Sequence, residues 1–383
     1  MKTSIRIASI DVFRALTMFL MIFVNDLWSL SEVPHWLEHA KVAEDFLGFS
    51  DVIFPSFLFI LGMSIPYAVE NRMNKGESNW TIVKHIIFRS LALLVMGVFT
   101  VNYERLDHTI MNKDVFSILM VSGFFLIWNI YPKKLSSNKY IFKGLQIAGI
   151  ALLIFLVFIF RDSKGGIMQH HWWGILGLIG WTYLICSLIY VFIRKKLKYQ
   201  MLAWILFIVL CMAGASRRLG VFDEILPGNG VYHAFTMGGL LLSLLFNRFP
   251  FKKLLPWLIA SGVLFILSGK ISNYFWIISK IGETPPWLFY CSGIAVLTYI
   301  FIYWLVELKN KHSWFYCIES AGTATLTCYL VPYFLYAIFS LTNFSLPSAW
   351  LVFPIGLLKC ILFSFLCIWI ALALTKIGIK IKI

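Results

Sequence analysis

Residues 25–66 read NDLWSLSEVPHWLEHAKVAEDFLGFSDVIFPSFLFILGMSIP. This stretch joins two long apolar runs, one ending near Asn25 and one starting near Asp51. Runs of this kind read as helices that cross a bilayer, because only a helix satisfies its own backbone in hydrocarbon. Between them lies a polar hairpin with two histidines, His35 and His39, and four acids, Glu32, Glu38, Glu44 and Asp45. Polar groups at the lips of a span are costly to bury and are functional candidates by default. An imidazole, a carboxylate and an amide can therefore meet at one membrane face. Histidine is also the side chain best suited to moving protons near neutral pH.

The rest of the chain agrees with that reading. Of 383 residues, 60% are hydrophobic and 13% charged, and the mean hydropathy is +0.82. A soluble domain carries about 25% charged residues. The apolar runs are continuous rather than short and alternating, which excludes a β-barrel. The expected fold is all-α, a polytopic transmembrane helix bundle of about 10–12 spans. It forms a single domain over residues 1–383. The first run is long and lacks a small-residue cleavage site, so it reads as a retained span. The net charge of +15 would suggest nucleic acid in a soluble protein. Here the lipid bilayer is the expected partner, and the excess charge reads as topological. The seven cysteines are odd in number, lack a CxxC and lie in or beside apolar runs. They read as packing residues, with no metal site.

Spans are expected near residues 10–28, 50–69, 84–102, 115–131, 142–160, 173–193, 200–214, 231–247, 254–269, 286–306, 315–341 and 349–375. Orientation follows from Lys and Arg in the connections. With a cytoplasmic N-terminus, the inner segments hold Lys2, Arg6, Arg14, Arg72, Lys75, Lys84, Lys133 and Lys134. They also hold the Arg194–Lys198 and Arg248–Lys253 clusters and the C-terminal lysines. The outer segments are sparser, with Lys41, Arg105, Arg217, Arg218 and Lys280 among them. Both termini are thus expected in the cytoplasm, and the His39 hairpin outside.

Several residues could carry chemistry. Asp11 and Arg14, at i and i+3, can pair on one helical face. They either anchor a helix end or present the guanidinium to a ligand phosphate. Arg89, about a turn inside the third span, either snorkels to headgroups or adds to a basic cytosolic mouth. His39 is a candidate general base or nucleophile, against the plainer reading of a satisfied loop histidine. Asp51 either caps the helix it opens or orients His39. Asn25 either packs or donates to a developing oxyanion. Glu44 and Asp45 read as solvated. Trp173, in WWGILGLIGW after His170 and His171, suits an interfacial belt or a sugar-stacking platform. His233 enters the eighth span, and Lys280 sits in ISKIGETPPW with Glu283 as an ion pair or substrate contact. No GxSxG, HExxH, P-loop or dinucleotide fingerprint is present.

Four segments resemble a known family: SIDVFRALTMFLMIFVN, LEHA, GFSDVIFPSFLFILGMSIP and FRSLALLVMG. They are similar to the membrane acyltransferases related to heparan-α-glucosaminide N-acetyltransferase. Asp11, Arg14, Asn25, His39, Asp51 and Arg89 fall on that family's motif positions. ISKIGETPPW and FYCIESAGTATLTCYLV resemble its late spans more loosely. The resemblance implies that acetyl-CoA, a coenzyme A thioester, is taken from the cytosolic side. It implies that a histidine in the position of His39 passes the acetyl group to an amino sugar on the far side. The resemblance implies a homodimer as well, and the charge count puts the His39 loop in the periplasm if the host is a Gram-negative bacterium, with the chain in its inner membrane. The chain departs from the pattern at Ala15, where the family has Gly, and in a longer interval from His39 to Asp51. It also lacks the animal enzyme's outer soluble domain and has two extra spans. A heparan acceptor is not implied.

The leading expectation is a transmembrane acetyltransferase with a sugar or glycan acceptor. In it, His39, Asn25 and Asp51 are catalytic, and Arg14, Asp11 and Arg89 meet the donor. Lys280, His233 and Trp173 contact the acceptor. A transporter or flippase without acyl chemistry is the alternative, though no repeated half or matching pair of broken helices supports it. A membrane scaffold is the third reading, under which His39→Ala changes nothing.

Overall fold

The computed structural model describes residues 8–131, 139–216 and 227–383. Lys2, Arg6, Lys133, Lys134, Arg217 and Arg218, used above for orientation, lie outside the described residues. The chain is helical, and twelve helices of 16 residues or more occur among the described residues. They are α1 (Ala8–Asp26), α2 (Ser50–Asn74), α3 (Asn79–Arg105), α4 (Lys113–Trp128), α5 (Lys139–Ile159) and α6 (Ile175–Ile193). There follow α7 (Leu197–Ala215), α8 (Val231–Arg248), α9 (Phe251–Ser272), α10 (Pro285–Tyr303), α11 (Thr325–Leu341) and α12 (Ile355–Lys376). Ten are long and apolar enough to cross a membrane. α4 and α11, of 16 and 17 residues, fall just short of that length. The chain is an integral membrane protein with an all-helical fold.

One expected span is shorter than its apolar run. The run over 315–341 is interrupted, with a five-residue helix at Glu319–Thr323 ending at Ala324, where φ is −123° and ψ 38°. The reason is local: Gly322, Thr323 and Thr325 are poor helix formers, so the long helix begins only at Thr325.

The chain sorts into two compact units, with divisions inside α1, α3 and α6. The first holds the residues up to Thr17, Val33–Leu91 and Leu178–Tyr316. In it, α2 packs against α8 at glycines. A Cβ on Gly62 would lie 1.8 Å from the Thr236 carbonyl oxygen, and one on Gly239 equally close to that of Phe59. Without a hydrophobic force between helices in lipid, such small-residue contacts let backbones approach and maximise dispersion. Phe13, Phe59, Met63, Leu242 and Tyr299 fill the cluster beside this contact.

The second unit holds Met18–Glu32, Ala92–Gly177 and Cys317–Ile383. Asn112 caps α4, accepting from the Asp114 and Val115 N–H groups at 2.8 and 3.2 Å. Ser117 of α4 donates to the Tyr333 carbonyl of α11 at 3.0 Å. At the end of α1, Asp26 is fully buried, and Lys359 of α12 donates to both its oxygens at 2.8 and 2.7 Å. Tyr336 of α11 donates to the same carboxylate at 2.7 Å, and Ser29 takes the third Lys359 proton at 2.7 Å. Every polar atom of this intramembrane pair is satisfied, which is the condition for burying it.

Candidate active site

The first unit builds its site on the start of α2. The chain before it turns through a short helix at His35–Leu37 and returns, the Phe49 N–H bonding the Trp36 carbonyl at 2.8 Å. Ser50 donates to the Leu37 carbonyl at 2.5 Å, and Leu37 and Ala40 are buried beneath the loop. Gly48 is required here, because a Cβ at that position would lie 1.9 Å from the Glu38 carbonyl oxygen. This closure sets His39 over Asp51.

His39 Nδ1 lies 2.6 Å from Asp51 Oδ1. The other carboxylate oxygen accepts from the Ala40 N–H at 3.0 Å and the Gly48 N–H at 3.3 Å. Neither donor belongs to α2, and the helix has no side-chain cap, so Asp51 serves the loop and not its own helix. Its side chain is 2% exposed, and that of His39 is 44% exposed. A carboxylate only accepts, so it places the proton of neutral imidazole on Nδ1 and the lone pair on Nε2. The backbone is fixed from behind, where the buried Trp287 indole of α10 donates to the Asp51 carbonyl at 3.1 Å.

Lys280 joins this pair from the loop between α9 and α10. Its Nζ is 3.3 Å from His39 Nδ1 and 4.0 Å from Asp51 Oδ1. The Nδ1 proton is already directed to Asp51, so the ammonium meets the pair as a neighbouring charge rather than as a donor to the ring. Burial pushes the Lys280 pKa below its ordinary value, and Asp51 opposes that shift. The loop is anchored by Asp45, which accepts from Asn273 Nδ2 at 2.9 and 3.1 Å and from the Ile278 N–H at 2.7 Å. Asp45 is exposed, as expected of a solvated residue, and in addition ties the two loops together. Glu44 is also engaged, 2.7 Å from His35 Nε2. The Lys41 N–H holds its carboxyl below the usual range.

The other candidates separate. Arg14 donates to Asp11 at 3.1 Å and to Ser64 of α2 at 2.5 Å. Arg89 is ten residues into α3, about 15 Å along its axis, and so deeper than one turn. Its guanidinium lies over the Tyr183 ring at 4.6 Å, and its buried Nε has no partner. His233 does not face an opening: it is fully buried, stacked 5.0 Å from Phe207, with both ring nitrogens unpartnered. Asn25 and Trp173 belong to the second unit, and both are exposed. The sequence reading missed Asp45, Trp287 and the Asp26–Lys359 pair. A lysine alone in the apolar run GLLKCILF was the signal for the last, because it demands an acid at its own depth.

Residues 6–105 match the family described as heparan-alpha-glucosaminide N-acetyltransferase, catalytic. The human and mouse heparan-alpha-glucosaminide N-acetyltransferases are each 33% identical to this chain over 98 residues. That stretch is 25% of this chain and 14% of the length of each relative. Asp11, Arg14, Asn25, His39, Asp51 and Arg89 lie inside the family match, and Lys280 lies beyond it.

Proposed function

Taking the chain as a relative of that acetyltransferase family over residues 6–105, we propose that it is a transmembrane acetyltransferase. It moves an acetyl group from cytosolic acetyl-CoA to an amino or hydroxyl group of a sugar or glycan on the outer face. The observation that carries this reading is the His39–Asp51 pair at 2.6 Å, within the matched segment. His39 Nε2 takes the proton of the acceptor group, whose lone pair attacks the thioester carbonyl carbon. The carbon–sulfur bond breaks, and coenzyme A leaves as a thiolate that takes its proton from the imidazolium. Asp51 holds the ring tautomer and stabilises the imidazolium, a contribution of the kind worth about 10²–10⁴-fold. Lys280, beside the pair and partly exposed, contacts the acceptor. Arg14 and Arg89 meet the polar part of the donor, and the unpartnered Arg89 Nε supports that role.

The test is incubation of the purified protein with radiolabelled acetyl-CoA and a panel of amino sugars, beside His39→Ala and Asp51→Asn. Transfer that falls at least about 10²-fold in both variants supports the reading. Label retained on the protein in a His39-dependent way assigns the imidazole as acyl carrier instead of base. Equal transfer by His39→Ala, or no binding of acetyl-CoA, defeats the assignment and makes transport assays the next step.

A further inference from the structure

At the end of the first unit where α2 gives way to α3, the basic residues fall into two groups. Some are paired within the protein. Lys195 lies 2.6 Å from Glu70, Arg194 donates to Asn79 at 2.7 Å, and Arg72 lies 2.8 Å from Glu77. Others have no ion pair among the described residues, including Lys196, Lys252 and Lys253, and with them Lys198, at the start of α7, and Arg248, at the end of α8. Lys198 and Arg248 are both exposed. They line one cavity of about 550 Å³, whose remaining wall includes Tyr199, Met201, Leu202 and Ile205.

That wall continues down the helix. Leu202, Ile205, Leu206 and Val209 are exposed at 62, 46, 54 and 53% and fall on one face of α7. From Lys198 to Val209 the helix rises about 16 Å, close to the hydrocarbon depth of a single leaflet, about 15 Å. Two unpaired cations therefore stand above an apolar stripe one leaflet deep. We propose that this cavity binds one anionic phospholipid, its phosphodiester between Lys198 and Arg248 and an acyl chain along the α7 stripe. A zwitterionic headgroup brings its own cation to the same place and lacks this complementarity. A free phosphate leaves the apolar wall uncovered. This site is separate from His39 and does not rest on the acetyltransferase reading.

The test uses the full-length protein in detergent, titrated with phosphatidylglycerol and followed by native mass spectrometry. Phosphatidylcholine with the same chains and inorganic phosphate are the comparison probes. The expected result is one retained phosphatidylglycerol, held at least ten-fold more tightly than phosphatidylcholine and not displaced by millimolar phosphate. Each basic residue near an anionic surface contributes about five-fold, so Lys198→Gln/Arg248→Gln weakens retention about 25-fold. Lys252→Gln/Lys253→Gln, an equal charge change outside the cavity, leaves it unchanged. Leu202→Trp, which fills the apolar wall and keeps both charges, also weakens it, and serves if the double variant does not fold. Equal retention of the two lipids, displacement by phosphate, or an equal loss in the Lys252/Lys253 variant overturns the proposal.

Discussion

His39 and Asp51 are twelve residues apart and meet because one short loop closes between them, so their pairing was legible in the sequence. Lys280 is 241 residues from His39 and reaches it only through the fold. Its partial burial, which lowers its pKa, has a consequence for stability. The unfolded chain keeps the lysine proton up to about its ordinary pKa of 10.5, whereas the folded chain releases it at lower pH. Between those two values the unfolded state binds more protons, so stability rises with pH across that interval and is flat below it. Lys280→Met is expected to remove this rise. Thermal unfolding of both proteins between about pH 8 and 10.5 measures it, and parallel curves would show that Lys280 is not buried as a charge.

At the scale of the element, two contacts bear most on the site and its surroundings. Gly48→Ala forces a methyl group onto the Glu38 carbonyl and displaces the loop that carries His39. Overpacking of this kind costs about 1–3 kcal/mol. A displacement of about 1 Å at a reacting group costs on the order of 10²-fold in rate. Unaltered acetyl transfer by Gly48→Ala would mean that the loop does not set the chemistry. In the second unit, α1, α11 and α12 converge on Asp26. Asp26→Ala leaves Lys359 buried without its counter-ion and is expected to cost about 3–5 kcal/mol. The Asp26→Leu/Lys359→Met pair is expected to recover most of that loss in thermal unfolding. A double variant as unstable as the single one refutes the account. The glycines of GNGVYHAFTMGG read as permitting close packing, but neither the helix they meet nor the Asp26 pair was read beforehand. α2 is apolar on most faces, so no periodic stripe marks where its partner sits.

For the whole molecule, the length of α2 sets the geometry. Its 25 residues rise about 37 Å, more than the roughly 30 Å hydrocarbon core, so Asp51 and Arg72 lie at opposite ends. The charge distribution predicts that the His39 end faces outward. With Cys317→Ser as background, since the other cysteines are buried, Lys41→Cys is expected to react with an impermeant maleimide on intact cells. Lys75→Cys is expected to react only after lysis. The reverse pattern overturns the orientation. What the sequence determined by itself was the helical membrane class, most of the apolar runs, and the closeness of His39 and Asp51. Long apolar runs and a closely spaced His and Asp are local features that need no partner to be recognised. The tertiary structure alone decided that Lys280 and Trp287 converge on Asp51, that Asp45 anchors the loop carrying Lys280, that His233 is buried, and that Asp26 finds Lys359. Those outcomes depend on the depth and rotation at which one span meets another. In lipid, an apolar helix face looks the same in sequence whether it meets a helix or a hydrocarbon chain.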